Sequence, residues 1–582
     1  MPYLFNRHIS VNFVRFRTIG LVLLTLGVAA GESAFAASIR SKPLSTAKSS
    51  EVSERDRKAA RERFDDRVEA LARFATGHSF ELNGKRDEAL KQFLKSVKAD
   101  PNNHALTADV ARRLLGNRKF KDAISLLEGA LEKKEGTAEI YSVLALGYQQ
   151  TKKTEKAVAA CAKSLAKNPR SVIPYRIQIQ IYTVAKEPAK ALAVLKDAVA
   201  IDKTSIPFLV EIADLIKGVL EKNPDELVAH RPMLLEVLQK AVARKPRQPV
   251  LLQRLAEIYF YAKDYSASAK LYLALANRYP DSGAFRRRLV EIYLKGNDKK
   301  GAEIQLESIL RERPTDPQAN LILGILAEEE NDYEKAIDHY RKTKDSARKD
   351  PRAYFDIARL NLALGKPDET LKVLDEAAKQ FRDSFSAEFY RGMALAQKKD
   401  YGKALEYYTS AEILGKQDEP GRLRYFFYFQ YGVSAERNQD FRQAERHFLK
   451  CLELDPESAD ALNYLGYMWA ERGENLPQAK SMIERAVAQE PENAAFLDSM
   501  GWVLYVMGKH RASLPWLLKA IENTEVESEE DPTLFDHVAD AYFKIGDFRN
   551  ARKYYGLAVQ IQAKPEIIDK LEEAKKRLND PS

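Results

Sequence analysis

Any catalytic chemistry in this 582-residue chain would have to be built around eight histidines, two cysteines and its serines and carboxylates. No two histidines stand in the His-Glu-x-x-His spacing that puts two zinc ligands and a general base on one helical face, so no metal site is expected. Cys161 and Cys451 fall at helix-packing positions far apart in the chain and read as small buried thiols rather than a bridge. No G-x-x-x-x-G-K-[ST] or G-x-G-x-x-G run follows a strand-like stretch, so no nucleotide cofactor is expected. The nearest approach to a nucleophile elbow is Leu497-Asp498-Ser499-Met500-Gly501. There Leu497 takes the place of the first glycine and a helical pattern runs through the serine. The expectation is a protein that is not an enzyme.

Residue types suited to recognition are more conspicuous. Phe389, Tyr390, Phe426, Phe429, Tyr464, Tyr467 and Trp502, with Asn463 and Asp498 among them, gather in one stretch of the chain. Aromatic rings on an open face supply large contact area with few rotors to immobilise, and so make partner-binding anchors. Packing between neighbouring helices is the other reading of the same rings, and both stand at this level. The corresponding positions further upstream, Gln253, Glu257, Arg287 and Glu291, are ordinary polar and charged residues. The acidic run Glu525–Asp531 reads either as a solvated loop or as a contact for a basic segment. The insertion Glu221–Pro232 reads as a longer loop that interrupts a regular stack, or as a partner surface.

What must position these residues is a repeat. A small residue, followed three places later by an aromatic or aliphatic one and about twelve places later, usually, by Ala, starts at Gly77, Phe80 and Ala89. The small position recurs at Ala111, Ala145, Ile179, Ala213, Ala256, Val290, Gly324, Ala358, Gly392, Gly432, Gly466, Gly501 and Ala539. Nine of these steps are 34 residues long. The others are 43 (Ala213 to Ala256), 40 (Gly392 to Gly432), 35 (Gly466 to Gly501) and 38 (Gly501 to Ala539). Apolar residues at spacings of three and four within each half predict two helices of about a dozen residues per repeat. Small side chains at positions such as Gly324 and Ala336 let two helix axes approach, and Tyr340 fills the space towards the next pair. Prolines such as Pro101, Pro169, Pro280, Pro314, Pro456 and Pro491 end second helices. No pair buries its apolar face alone, so neighbours must stack.

This period, with "NDYEKA", "KDYGKALEYY", "QDFRQAERHFLKCLELDP" and "GDFRNARKYYGLAV", resembles the tetratricopeptide repeat family. The resemblance implies an all-α fold, a right-handed α-solenoid of about fourteen helix pairs over residues 70–565, whose first helices line a concave groove that binds other proteins. A charged leading helix at 55–69 and a polar helix at 566–582 would cap the ends. The block from Asn463 to Gly508 further resembles the carboxy-terminal repeats of bacterial envelope tetratricopeptide lipoproteins that act as adaptors for carboxy-terminal processing proteases. That implies a protein or peptide partner, an envelope protease among the candidates.

Residues 1–18 carry Arg7, Arg15 and Arg17 without an acid and lead into the apolar run Ile19–Ala30, with Ala34 and Ala36 after it. This is the order of a secretory signal peptide, with cleavage expected between Ala36 and Ala37; an uncleaved anchor is the competing reading. No cysteine lies near the cleavage point, whereas the lipoproteins that the chain resembles carry their lipid on one there. Residues 37–54 read as a polar tether. With 93 Lys and Arg against 84 Asp and Glu, the surface is only mildly basic, which gives no reason to expect nucleic acid. The expected role is therefore a periplasmic or secreted protein-binding scaffold or adaptor. The alternative is a structural component of an envelope assembly or polysaccharide-export apparatus.

Overall fold

A computed structural model describes residues 54–346, 350–524 and 532–579. The expected signal peptide, nearly all of the tether and the acidic run Glu525–Asp531 lie outside the described residues. The chain divides into two compact parts, Met1–Asp298 and Lys299–Ser582. Among the described residues of the first are α1 (Glu54–Leu82), α2 (Arg86–Ala99), α3 (His104–Gly116), α4 (Phe120–Lys133), α5 (Ala138–Gln150), α6 (Thr154–Lys167), α7 (Val172–Val184), α8 (Pro188–Val199), α9 (Ile206–Lys222), α10 (Leu227–Ala243), α11 (Pro249–Tyr261), α12 (Tyr265–Arg278) and α13 (Gly283–Lys295). The second part holds α14 (Lys299–Glu312), α15 (Pro317–Glu329), α16 (Tyr333–Ser346), α17 (Arg352–Ala363), α18 (Pro367–Ala378), α19 (Phe385–Gln397), α20 (Tyr401–Asp418), α21 (Tyr425–Arg437), α22 (Phe441–Leu454), α23 (Ala459–Glu471), α24 (Leu476–Gln489), α25 (Ala494–Val506), α26 (His510–Glu522), α27 (Thr533–Lys544), α28 (Phe548–Ile561) and α29 (Pro565–Asn579). No strand occurs among the described residues. The fold is all-α; within each part consecutive helices pack on one another, and several first helices of adjacent pairs also touch, as α23 does α25.

The period is a backbone property as well as a side-chain one. Between the two helices of a pair, a residue in the left-handed region recurs at Gly84, Arg118, Lys152, Lys186, Lys263, Asn297, Asn331, Gly365, Lys399, Gln439, Gly473, Gly508 and Gly546. A single left-handed residue reverses the chain in the fewest residues, and it ends the first helix by bonding its last carbonyls. Thus Asn331 N–H bonds the carbonyl of Glu328, and the next amide, of Asp332, reaches back to Ala327. Side chains then start many helices: Asn103, Thr137, Asp264, Asp316, Ser384, Asp400, Asp440, Ser458, Asn493 and Asp547 each accept from a backbone amide of the first turn.

Within a pair, the small position is small because the second helix fills its space. A Cβ on Gly324 would lie 2.5 Å from the Tyr340 ring, and one on Gly466 would lie 2.8 Å from Ile483 and 3.0 Å from the Ala479 carbonyl. Cys161 and Cys451 are free and fully buried, and burial pushes each thiol up to about 12.

Irregular steps have physical locations. The 43-residue step lengthens α9 and α10 to 17 residues each, joined by the 3-10 turn Pro224–Glu226, so the longer loop expected at Glu221–Pro232 is instead extra helix. Its apolar residues explain the difference: Leu220, Leu234, Val237 and Leu238 are all buried. The 40-residue step extends α20 to 18 residues and adds the turn Pro420–Arg422. The 35-residue step adds Asn475, itself left-handed, to the α23–α24 turn. At the amino end, α1 is one 29-residue helix running through the boundary expected at residue 69.

Candidate partner-binding surface

The first helices present residues at fixed offsets from the small position, and early and late in the chain these have different chemistry. In the amino-terminal part the offsets carry a ladder of ion pairs linking successive first helices. Arg176 on α7 bonds Glu211 on α9 at 2.6 Å, and Arg254 on α11 bonds Glu211 at 2.9 Å and also Asp214. Arg288 on α13 holds Glu257 on α11 through two bonds of 2.5 and 3.0 Å, and Tyr272 donates to the same carboxylate. Burial acts to raise Glu211, but the two guanidiniums bring its carboxyl below the usual range. Polar groups so satisfied would have to give up strong bonds to accept a partner.

From α19 to α27 the face changes. Phe426 on α21 is 51% exposed, and its ring meets that of Phe389 on α19 in a T-shaped contact with centroids 5.9 Å apart. Phe389 itself is 7% exposed and closed in by Phe385, Tyr408 and Phe427. Its assignment to the partner surface is therefore corrected: Phe389 is part of the core, because three neighbouring rings cover it. Tyr390 is half-buried on the rim of the same cluster. Phe429 stacks on Tyr425 at 5.5 Å and meets Tyr464 edge-on at 5.3 Å, tying α21 to α23. Both are half-buried, so packing and surface claim a side each.

Further along, Trp502 on α25 lies between two rings, Tyr505 at 4.8 Å and His537 at 3.9 Å, both stacked. His537 Nδ1 bonds the carboxylate of Asp498 at 2.9 and 3.1 Å. His537 is 4% exposed. Burial alone would discharge it, yet Asp498 foremost, with Glu471 and Asp536, raises it above the ordinary histidine value. Tyr467 on α23 approaches the same imidazole at 6.5 Å. The structure thus brings Tyr467, Asp498 and Trp502 together around a residue that was not singled out from sequence. The periodic signal for it existed: His537 stands two places before Ala539, as Tyr464 stands two places before Gly466.

Among the polar atoms on α21, α23 and α25 that are buried without a hydrogen-bond partner among the described residues are the Asn463 Oδ1 acceptor and the Trp502 Nε1 donor, beside Tyr425 Oη, Glu436 Oε2 and Trp469 Nε1. Asn463 is 7% exposed. Buried polar groups are normally paired, and each one left open carries a cost of about 1–3 kcal/mol. Beyond them, Lys570 of α29 bridges Asp536 at 2.9 Å and Asp540 at 2.8 Å, and Tyr555 donates to Asp540 at 2.5 Å. No group of three or more His, Cys, Asp and Glu poised for a metal occurs among the described residues. None of the described helices is long and apolar enough to cross a membrane.

Tetratricopeptide repeat models match residues 109–172, 254–317, 302–351, 355–419 and 432–475, and a second model of that description matches 534–565. Together they cover more than half of the chain. The chain belongs to the tetratricopeptide repeat family. It is 28% identical over 209 residues to the TPR repeat-containing protein PA4667 of Pseudomonas aeruginosa, a match covering 35% of this chain and 34% of that protein. The chain therefore spans only about a third of that relative's length. It is 31% identical over 118 residues to photosystem I assembly protein Ycf3 of Acaryochloris marina, across 20% of this chain and 68% of that one. Among solved structures, the APC/C hetero-tetramer Cut9–Hcn1 superposes with a TM-score of 0.37 at 14% identity, over 81% of this chain and 96% of that one.

Proposed function

We propose that this tetratricopeptide repeat protein is a non-enzymatic scaffold that binds a partner protein through the face of α21, α23, α25 and α27. One contrast carries the reading. In the amino-terminal part side chains at these offsets are held in ion pairs such as Arg288 with Glu257, whereas here an exposed Phe426 adjoins half-buried rings, and Asn463 Oδ1 and Trp502 Nε1 lack a hydrogen-bond partner among the described residues. An extended peptide offers what this face lacks, an N–H for Asn463 Oδ1, a carbonyl for Trp502 Nε1 and side chains to cover Phe426. The signal-type segment at residues 1–36 supports a place in the cell envelope, and the block Asn463–Gly508 supports an adaptor role with an envelope protease as its partner.

Site-specific photocrosslinkers placed at Phe426 and Tyr467, and separately at Arg288, test the proposal in the native cell. The expected result is one partner, recovered reproducibly from the first two positions and identified by mass spectrometry. Crosslinks only from Arg288, or none from either face, would overturn it.

A further inference from the structure

The same face is asymmetric in charge. Its register brings Asn463, Asp498 and Asp536 to equivalent places, three before the small residue on α23, α25 and α27, so these side chains leave their helices towards one side. Tyr467, Trp502 and Asp540 follow one place after the small residue, and Glu471 and Tyr505 lie near the ends of their helices. Adding Asp460, the acids on these helices are Asp460, Glu471, Asp498, Asp536 and Asp540. Against them stand His537, Lys544 and Lys570. His537 is consumed by Asp498, and Lys570 is shared between Asp536 and Asp540. Even with that lysine, Asp536 is raised above the ordinary carboxylate range, by burial first and then by the neighbouring charge of Asp540. The cations present leave negative charge uncompensated.

Two further observations bear on the ligand. Asn463, more than nine-tenths buried, has an amide oxygen without a donor in the register position that Asp498 and Asp536 share. The neighbouring α21 presents an apolar stretch, Phe426, Phe429 and Val433, of which Phe426 is open. Resting on the reading of this face as a binding surface, we infer that its occupant is a cationic extended segment of the partner, an apolar anchor seated on Phe426 followed by Lys or Arg side chains over α23, α25 and α27. Neighbouring helices are packed about 8–10 Å apart. A segment crossing them at about 3.3–3.6 Å per residue therefore places its basic residues roughly three to eight positions from the anchor.

Fluorescence anisotropy on the full chain tests this with three labelled twelve-residue peptides. Each carries one Phe and, three to eight positions on, three residues that are all Lys, all Gln or all Glu. The Lys peptide should bind at least tenfold more tightly than the Gln peptide and weaken steeply between 50 and 300 mM salt, and the Glu peptide should not bind. The double variant Asp460→Asn with Glu471→Gln alters two exposed side chains and should lower the melting temperature less than Asp498→Asn does. It should erase most of the Lys preference, while Phe426→Ala weakens the Lys and Gln peptides alike. Lys and Gln peptides bound equally, with binding lost on Phe426→Ala, would sink the cationic segment and leave the binding surface standing. Binding indifferent to Phe426→Ala and to the acid variants, or no binding by any peptide, would sink both.

Discussion

His537 lies flat against Trp502, with ring centroids 3.9 Å apart and planes 16° apart, while its Nδ1 bonds Asp498. One imidazole thereby joins the fourteenth repeat to the thirteenth through both a ring face and a charge. Asp498→Asn should destabilise the carboxy-terminal repeats by roughly 1–3 kcal/mol, because it leaves a buried cation without its counter-charge. Since His537 is raised in the folded state, its stabilisation is complete below the unfolded value of about 6.5 and is lost as pH rises through the folded value. The difference in melting temperature between the two proteins should accordingly be larger at pH 6 than at pH 9. An equal difference at both would show that His537 is neutral in the folded chain.

His447 behaves in the opposite sense. It stacks on Tyr431 at 3.8 Å, and burial, with Arg446 beside it, pushes it down to about 4. The unfolded chain therefore takes up a proton between about pH 6.5 and 4 that the folded chain refuses, so this contribution is present above 6.5 and lost as pH falls towards 4. The loss amounts to at most about 3 kcal/mol. His447→Phe keeps the stack and removes the proton site. Its stability should fall less than that of the parent between pH 6.5 and 4 in urea titrations, and parallel curves would refute the assignment.

Gly466→Val should cost on the order of 1–3 kcal/mol, since even a Cβ there meets Ile483 at 2.8 Å. Gly116→Ala is the matched control: nothing lies within 4 Å of its Cβ position near the end of α3, and the change should raise stability by about 0.5–1 kcal/mol. Thermal melts of both variants would check the phase of the repeat.

Lys399 sits at φ 63° in the turn between α19 and α20, where Gly365 occupies the equivalent place one repeat earlier. Lys399→Gly removes a left-handed strain of about 1–2 kcal/mol and adds chain entropy to the unfolded state, for a net gain of up to about 1 kcal/mol. Loss of stability on this substitution would mean that the lysine side chain supports the turn.

Helix pairs were legible from spacing alone, because the small position and the Ala twelve places on are imposed by local contacts between consecutive helices, as between Gly466 and Ile483. The insertion at Glu221–Pro232 was not legible in the same way. Its charged and proline residues read as loop, while its last residues instead open α10, a helix anchored beyond the insertion by the buried Leu234, Val237 and Leu238. Among the site residues, spacing placed Tyr467, Asp498 and Trp502 on one side of their helices, but it could not separate an open ring from a covered one. Phe389 and Phe426 have the same chemistry and nearby registers, and differ because Phe385, Tyr408 and Phe427 close over only the first.

Sequence by itself determined the repeat, its phase and the type of residue at each offset, since these follow from contacts between segments a few tens of residues apart. Tertiary structure alone decided which groups were already paired: Arg288 with Glu257, His537 with Asp498, and Asn463 with no partner among the described residues. Pairing depends on ångström distances between side chains of different repeats, and a one-dimensional pattern does not carry those distances.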